Sequence, residues 1–217
     1  MSEIETLSRI QEFGSPCGRS AARSCAKRTL DLVVAWTALI LLAPLLLLVA
    51  IAIKLESRGP VLFRQRRSGL RGNPFSILKF RSMRVLEDHS GLQQATRHDS
   101  RITRVGAVIR ALSIDELPQL LNIVKGDMSL VGPRPHALGH DEVWARSVPG
   151  YASRFRARPG LTGFAQVKGL RGEVRDFDQI CARVEADNHY VENWSMRLDL
   201  AIMVRTVPLL FNDPRAY

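Results

Sequence analysis

The residues in this chain best suited to chemistry are the adjacent carboxylates Asp115 and Glu116, set in Ser113-Ile114-Asp115-Glu116-Leu117-Pro118. Two readings fit them. Ser113 with Glu116 three residues later has the form of a capping box, and both acidic residues and Pro118 suit the first turn of a helix. The same pair can also act as a chemical unit. Free N–H groups and the positive dipole end at a helix start attract phosphate oxygens and keep an Asp ionised. One carboxylate can then attack phosphorus to give an acyl phosphate, while its neighbour holds a divalent cation or handles a proton. Attack on a diphosphate needs positive charge around it. The sequence offers Lys79, Arg81 and Arg84 close together, Arg110 five residues before Asp115, and Arg134 between Pro133 and Pro135. Arginine suits bidentate phosphate binding, and flanking prolines lower the entropic cost of fixing the Arg134 guanidinium.

Elements must hold these groups in place. Leu117, Leu120, Leu121 and Val124 recur at i, i+3, i+4 and i+7, which predicts an amphipathic helix behind the carboxylates, ended by Gly126. A strand near 60–63, a turn over 67–74 and a return strand over 75–80 predict a small antiparallel hairpin. Further helices are expected over 101–112, 140–147 and 176–191, with a polar loop over 86–100. In the tail, Leu200, Met203, Val204 and Val207 share a helical face that ends at Pro208; it fits core packing, the reading preferred, or a place in the membrane interface.

One segment breaks the globular pattern. Leu32 to Ile53 is apolar apart from Thr37 and carries no charge, long enough at ~1.5 Å per residue to cross ~30 Å of hydrocarbon. Arg19, Arg23, Lys27 and Arg28 precede it; Lys54, Arg58, Arg64, Arg66 and Arg67 follow it. Basic residues favour the cytoplasmic side, and here both flanks qualify. A helix that bends at Pro44 and leaves by the face it entered satisfies both flanks; an ordinary spanning helix kinked at the proline is the alternative.

A chain of 217 residues can bury one sizeable core. It divides into a polar leader (1–28), a membrane helix (29–57) and a cytoplasmic catalytic domain (58–217), α+β in class and helix-dominated. The +10 net charge favours polyanionic partners. Nucleic acid is disfavoured among them, because aromatic residues for base stacking are only 6%. Separately, no zinc spacing, P-loop or Gly-x-Gly-x-x-Gly occurs. Cys17, Cys25 and Cys181 read as free thiols, in keeping with a reducing compartment. His136 and His140 share i, i+4 spacing without a completing Glu, and with His89, His98 and His189 they form no ligand set.

Several blocks in order resemble a known family: residues 27–35, the proline-containing apolar helix, 59–69, 78–84, 113–135, 158–169 and 190–200. Together they resemble the bacterial sugar transferases, monotopic polyprenol-phosphate phosphoglycosyl transferases. The resemblance implies that Asp115 attacks the β-phosphate of a UDP-sugar and releases UMP. The phosphosugar held on the enzyme then passes to a polyprenyl phosphate, usually undecaprenyl phosphate. It implies Glu116 as catalytic partner and a Mg²⁺ requirement, with Asp115 and Glu116 not separable as metal ligands. Arg134 would bind phosphate, and Lys79, Arg81, Arg110 and Arg158 would line the substrate site. The family's membrane helix is re-entrant and breaks at a Ser-Pro or similar pair, here Ala43-Pro44, with amphipathic helices at the interface. The location implied is the cytoplasmic face of the bacterial inner membrane, in contact with its lipid. The C-terminal half resembles the branch that moves glucose-1-phosphate or galactose-1-phosphate, in a first membrane step of exopolysaccharide or other glycoconjugate synthesis. Homo-oligomerisation is compatible with this reading.

Overall fold

The computed structural model describes residues 21–84, 99–172, 174 and 176–212. The leader before residue 21 and most of the loop expected over 86–100 lie outside them, as do Cys17, His89 and His98.

Helix α1 (Cys25–Glu56) starts at Ser24, whose side chain accepts from the Lys27 N–H at 3.3 Å. It runs through Pro44 as helix, so the expected break is not seen. A proline deletes one N–H and crowds the preceding turn, which a long helix can absorb as a bend. The helix is long and apolar enough to cross a membrane. Its middle is bare: Ile40, Leu41, Leu47 and Leu48 are all exposed.

Both ends of α1 are tied down. At the start, Lys27 Nζ donates to Asp199 Oδ2 at 2.7 Å and to the Val131 carbonyl at 3.1 Å. Asp31 Oδ1 accepts from Ser129 Oγ at 3.1 Å and the Leu130 N–H at 3.0 Å. At the far end, Glu56 accepts from the N–H groups of Arg104 and Val105 at 2.7 and 3.0 Å. Apolar contacts follow the same division. Ala35 joins a cluster with Ile123, Met128, Val131, Tyr190 and Ile202, while Val49 and Ile53 pack with Phe80 and Ile109. Burying a side chain such as Ile53 contributes about 1.5–3 kcal/mol.

The expected hairpin is present. Strands β1 (Leu62–Ser68) and β2 (Pro74–Phe80) pair antiparallel, with Leu62 opposite Phe80 and Ser68 opposite Pro74. Helix α2 (Arg104–Ala111) begins at Thr103, whose hydroxyl accepts from the Gly106 N–H at 2.9 Å. Helix α3 (Gln119–Lys125) closes at Gly126, where φ is +97°, a left-handed value that suits glycine. A second sheet was not legible in the sequence. Strands β3 (Ser129–Val131) and β4 (Gly160–Thr162) pair parallel, and three residues are too few to show an alternation. The pairing depends on two glycines: a Cβ on Gly132 would lie 2.2 Å from the Arg158 carbonyl, and one on Gly160 would lie 2.1 Å from the Gly132 nitrogen.

Helices α4 (Leu138–Ser147), α5 (Phe164–Val167), α6 (Phe177–Glu192) and α7 (Met196–Asn212) complete the fold. The last corrects two expectations. Pro208 lies inside α7 and does not end it. Three of the four stripe residues face outward, with Leu200 47%, Val204 71% and Val207 55% exposed, while Met203 packs against the core. α7 is apolar on more than one face, and the face that packs carries Leu198, Ile202 and Met203. Periodicity finds apolar faces without saying which one meets protein.

Candidate active site

Asp115 and Glu116 occupy a short 3₁₀ turn, Ile114–Glu116, that follows α2 directly. The capping box does not form. A capping residue is extended, whereas Ser113 is left-handed at φ 55°, and its hydroxyl accepts from Arg171 Nη2 at 2.8 Å. Helix α3 starts later, with Pro118 at its N-cap position and no side-chain cap. The carboxylates are therefore held in a turn between two helices, with Ile114 packed against the cluster of α1, β2 and α2.

Both side chains are buried, at 9% and 8% exposure, and their surroundings differ. Glu116 is caged by cations: Lys79 Nζ lies 2.8 Å from Oε1, and Arg134 reaches Oε1 at 2.7 Å and Oε2 at 3.4 Å. Burial opposes the charge, but Arg134 and then Lys79 outweigh it and hold the Glu116 carboxyl well below its usual range. Asp115 takes no hydrogen bond among the described residues. Burial pushes its pKa up and the Glu116 charge adds to this, against the pull of Lys79, Arg110 and Arg134. Glu116 is held by fixed cations mainly through Oε1, with Arg134 at 3.4 Å from Oε2, whereas Asp115 is bonded to none of them.

Of the basic residues singled out from the sequence, Lys79 on β2 and Arg134 after β3 meet Glu116 directly, and the charge of Arg110 in the last turn of α2 acts on Asp115. Arg81 and Arg158 are placed elsewhere. Arg81 is buried at the end of α1, donating to the carbonyls of Ser57 at 2.7 Å and Arg58 at 2.9 Å. Arg158 donates to the carbonyls of Gly126 at 3.0 Å and Ala22 at 3.1 Å. Beside it, Arg28 caps the end of α3 at the Ile123 and Val124 carbonyls, 2.6 and 2.9 Å away. Backbone carbonyls at helix ends attract guanidinium groups as phosphates do, so residue type could not separate the two uses.

Sequence reasoning missed Arg171 at Ser113 and a buried set around Arg134: Arg154, Tyr151, Asp141 and Asp187. These residues are scattered along the chain, and no spacing marks them. His136, which the sequence placed in no ligand set, belongs to this set and is held neutral by burial and by the charge of Arg154.

As for a metal, no cluster of three or more His, Cys, Asp or Glu side chains occurs among the described residues. Asp115 and Glu116 provide hard carboxylate oxygens, which fits Mg²⁺: that ion is bound through one or two carboxylates and completes its shell with water and substrate phosphate.

A carboxylate pair in a buried basic cage, on a domain tied to a long bare apolar helix, is an arrangement suited to phosphate ligands beside a membrane. Residues 22–213 match the bacterial sugar transferase family, and the chain belongs to it. It is 55% identical over 204 residues to a UDP-glucose:undecaprenyl-phosphate glucose-1-phosphate transferase of Caulobacter vibrioides, covering 94% of this chain and 76% of that protein. A relative of the same name from Escherichia coli is 44% identical, covering 91% of this chain and 43% of its own length. An Aeromonas hydrophila UDP-N-acetylgalactosamine-undecaprenyl-phosphate N-acetylgalactosaminephosphotransferase is 45% identical, covering 83% and 42%. The chain thus spans three quarters of the first relative and less than half of the other two.

Proposed function

We propose that this chain transfers a hexose-1-phosphate from a UDP-sugar to undecaprenyl phosphate through a covalent phosphosugar on Asp115, with glucose or galactose as the sugar. The observation that carries this reading is the contrast at the dyad. Glu116 is locked by Lys79 and Arg134, while Asp115 beside it is buried and takes no hydrogen bond among the described residues.

In the first half-reaction an Asp115 carboxylate oxygen attacks the β-phosphorus. The bond from that phosphorus to the α–β bridging oxygen breaks, and UMP departs with the electron pair. In the second, an oxygen of undecaprenyl phosphate attacks the same phosphorus, and the acyl-phosphate bond breaks to restore the Asp115 carboxylate. Lys79, Arg110 and Arg134 supply fixed positive charge for the diphosphate oxygens, as preorganised donors do where charge develops. Asp115 and Glu116 would hold Mg²⁺, which supplies further neutralisation of the diphosphate when bound.

Helix α1 is re-entrant in this reading, with its bare middle in lipid and both ends at the cytoplasmic face of the inner membrane. Its support is that both ends are bonded to one domain, at Asp199 and at Arg104. The outward stripe of α7 serves as an interfacial helix. Cys25 and a cysteine introduced by R58C should then label only from the cytoplasmic side, and periplasmic labelling of either would count against re-entry.

The central test gives detergent-purified protein, Mg²⁺ and undecaprenyl phosphate a panel of UDP-glucose, UDP-galactose and UDP-N-acetylgalactosamine. UMP release is expected with a hexose donor, together with radiolabelled enzyme when the lipid acceptor is withheld. Full turnover by Asp115→Asn would overturn the covalent assignment.

A further inference from the structure

The loop that carries Arg134 is built without its own backbone donors at two positions, because Pro133 and Pro135 have no N–H. Its three carbonyls are nevertheless all taken. Pro133 accepts from the Gly160 N–H at 2.9 Å, Arg134 from Arg154 Nη2, and Pro135 from Arg67 Nη1 at 3.4 Å. One donor is backbone from β4, and two are guanidinium groups from distant parts of the chain.

Arg154 is the more deeply fixed of the two, at 3% exposure, on the 3₁₀ turn Tyr151–Arg156. Besides the Arg134 carbonyl it bonds Asp187 Oδ2 of α6 at 2.8 Å, the Tyr151 hydroxyl at 3.0 Å and His136 Nδ1. Tyr151 in turn lies 2.5 Å from Asp141 Oδ1 of α4. A guanidinium can only donate, so His136 Nδ1 must accept, and the proton of the neutral ring sits on Nε2. Burying such charges costs several kcal/mol per ion after relaxation, and well-packed apolar residues often serve stability as well or better. What apolar packing could not supply is a directed bond to the carbonyl of the residue whose side chain reaches Glu116. None of Arg154's bonds among the described residues goes to the carboxylate pair.

We propose that Arg154 is a positioning residue for Arg134: its planar fork spans the Arg134 carbonyl, His136 and Asp187, and so aims the Arg134 guanidinium at Glu116 and the donor phosphate. The inference rests on the transferase reading above. Lysine keeps the charge of Arg154 but cannot make these bonds in one plane.

The test is a double-mutant cycle between Arg154→Lys and Arg134→Ala, read as kcat/KM for the UDP-sugar, with the thermal midpoint of each variant measured alongside. Arg154→Lys alone should lose about 10²-fold, the scale of a misplacement of about 1 Å. In the Arg134→Ala background the same change should cost less than about threefold, because the group it aims is gone. A role confined to stability would lower the thermal midpoint and leave kcat/KM unchanged, a role independent of Arg134 would give losses that multiply, and either result would overturn the proposal. If Arg154→Lys does not fold, Asp187→Asn replaces it, with an expected loss of about tenfold that again disappears with Arg134→Ala. An Arg134→Ala variant as fast as wild type would overturn the transferase assignment of Arg134, and this inference with it. A slow Arg134→Ala variant with multiplying losses would overturn the positioning role alone.

Discussion

Two sets of arginines and lysines in this protein answer to opposite kinds of partner. Lys79, Arg110 and Arg134 gather around side-chain carboxylates at the dyad, where their charge sets which of two adjacent acids is held and which is left available. Arg28, Arg81 and Arg158 meet backbone carbonyls at the ends of helices α1 and α3, where they hold the apolar helix on the domain. The difference lies in whether the partner's charge matters to a reaction. A guanidinium on a carbonyl is spent on structure, whereas one on a carboxylate beside a substrate can be shared with phosphate.

The largest effect that would sharpen this contrast is expected at Arg134. Arg134→Ala should lower kcat/KM for the UDP-sugar by about 10²–10³-fold per folded molecule, as loss of one preorganised donor commonly does, on top of a lower thermal midpoint from leaving buried Glu116 with Lys79 alone. Arg81→Met should act on stability alone. It leaves the Ser57 and Arg58 carbonyls without their donor, a cost of about 1–3 kcal/mol. At about 2–4 °C per kcal/mol for a chain of this size, the midpoint should drop clearly, while turnover per folded molecule holds. Calorimetry paired with a UMP-release assay separates the two. A large kcat loss in Arg81→Met without unfolding would break the comparison.

Acidity divides the dyad itself. In the proposed mechanism Asp115 must lose its proton to attack, and burial raises its pKa above the ordinary carboxylate value of about 3.9, so activity should rise with pH along a limb above that value. Lys79→Met removes a charge that pulls this pKa down, and the limb should move to higher pH; a shift toward lower pH would contradict the cage. Stability runs in opposite directions for the two acids. Glu116, depressed when folded, stabilises the protein above its unfolded pKa, and that contribution is lost as pH falls through the folded value. Asp115, raised when folded, favours the folded state on the acid side instead. The smallest effect is expected far from both sets: Val204→Ser on the bare face of α7 should change stability by less than about 0.5 kcal/mol, yet weaken binding to lipid vesicles in flotation assays.

Much of this was legible in the sequence because local rules produced it. The hairpin over residues 61–80, the start of α6 at Asp176 and the end of α3 at Gly126 follow from turn and cap chemistry. The dyad was found for its residue types, but its conformation was misread, since nothing in Ser113 announces a left-handed backbone. The parallel pair of β3 and β4 and the bonds of Arg154 join residues far apart in the chain, and no local pattern encodes them. The outward stripe of α7 shows the same limit: hydrophobicity is a property of residues, while burial depends on what stands opposite.

The bond between Lys27 and Asp199 also sets an order of events in the life of the chain. The two residues are separated by 172 positions, so the helix is made long before the carboxylate that completes its base. At about 5–20 residues per second of synthesis, α1 spends on the order of ten seconds with Lys27 lacking that partner. Its first encounter with the bilayer therefore takes place with the lysine uncompensated, and the final seat of the helix is settled only once Asp199 has left the ribosome.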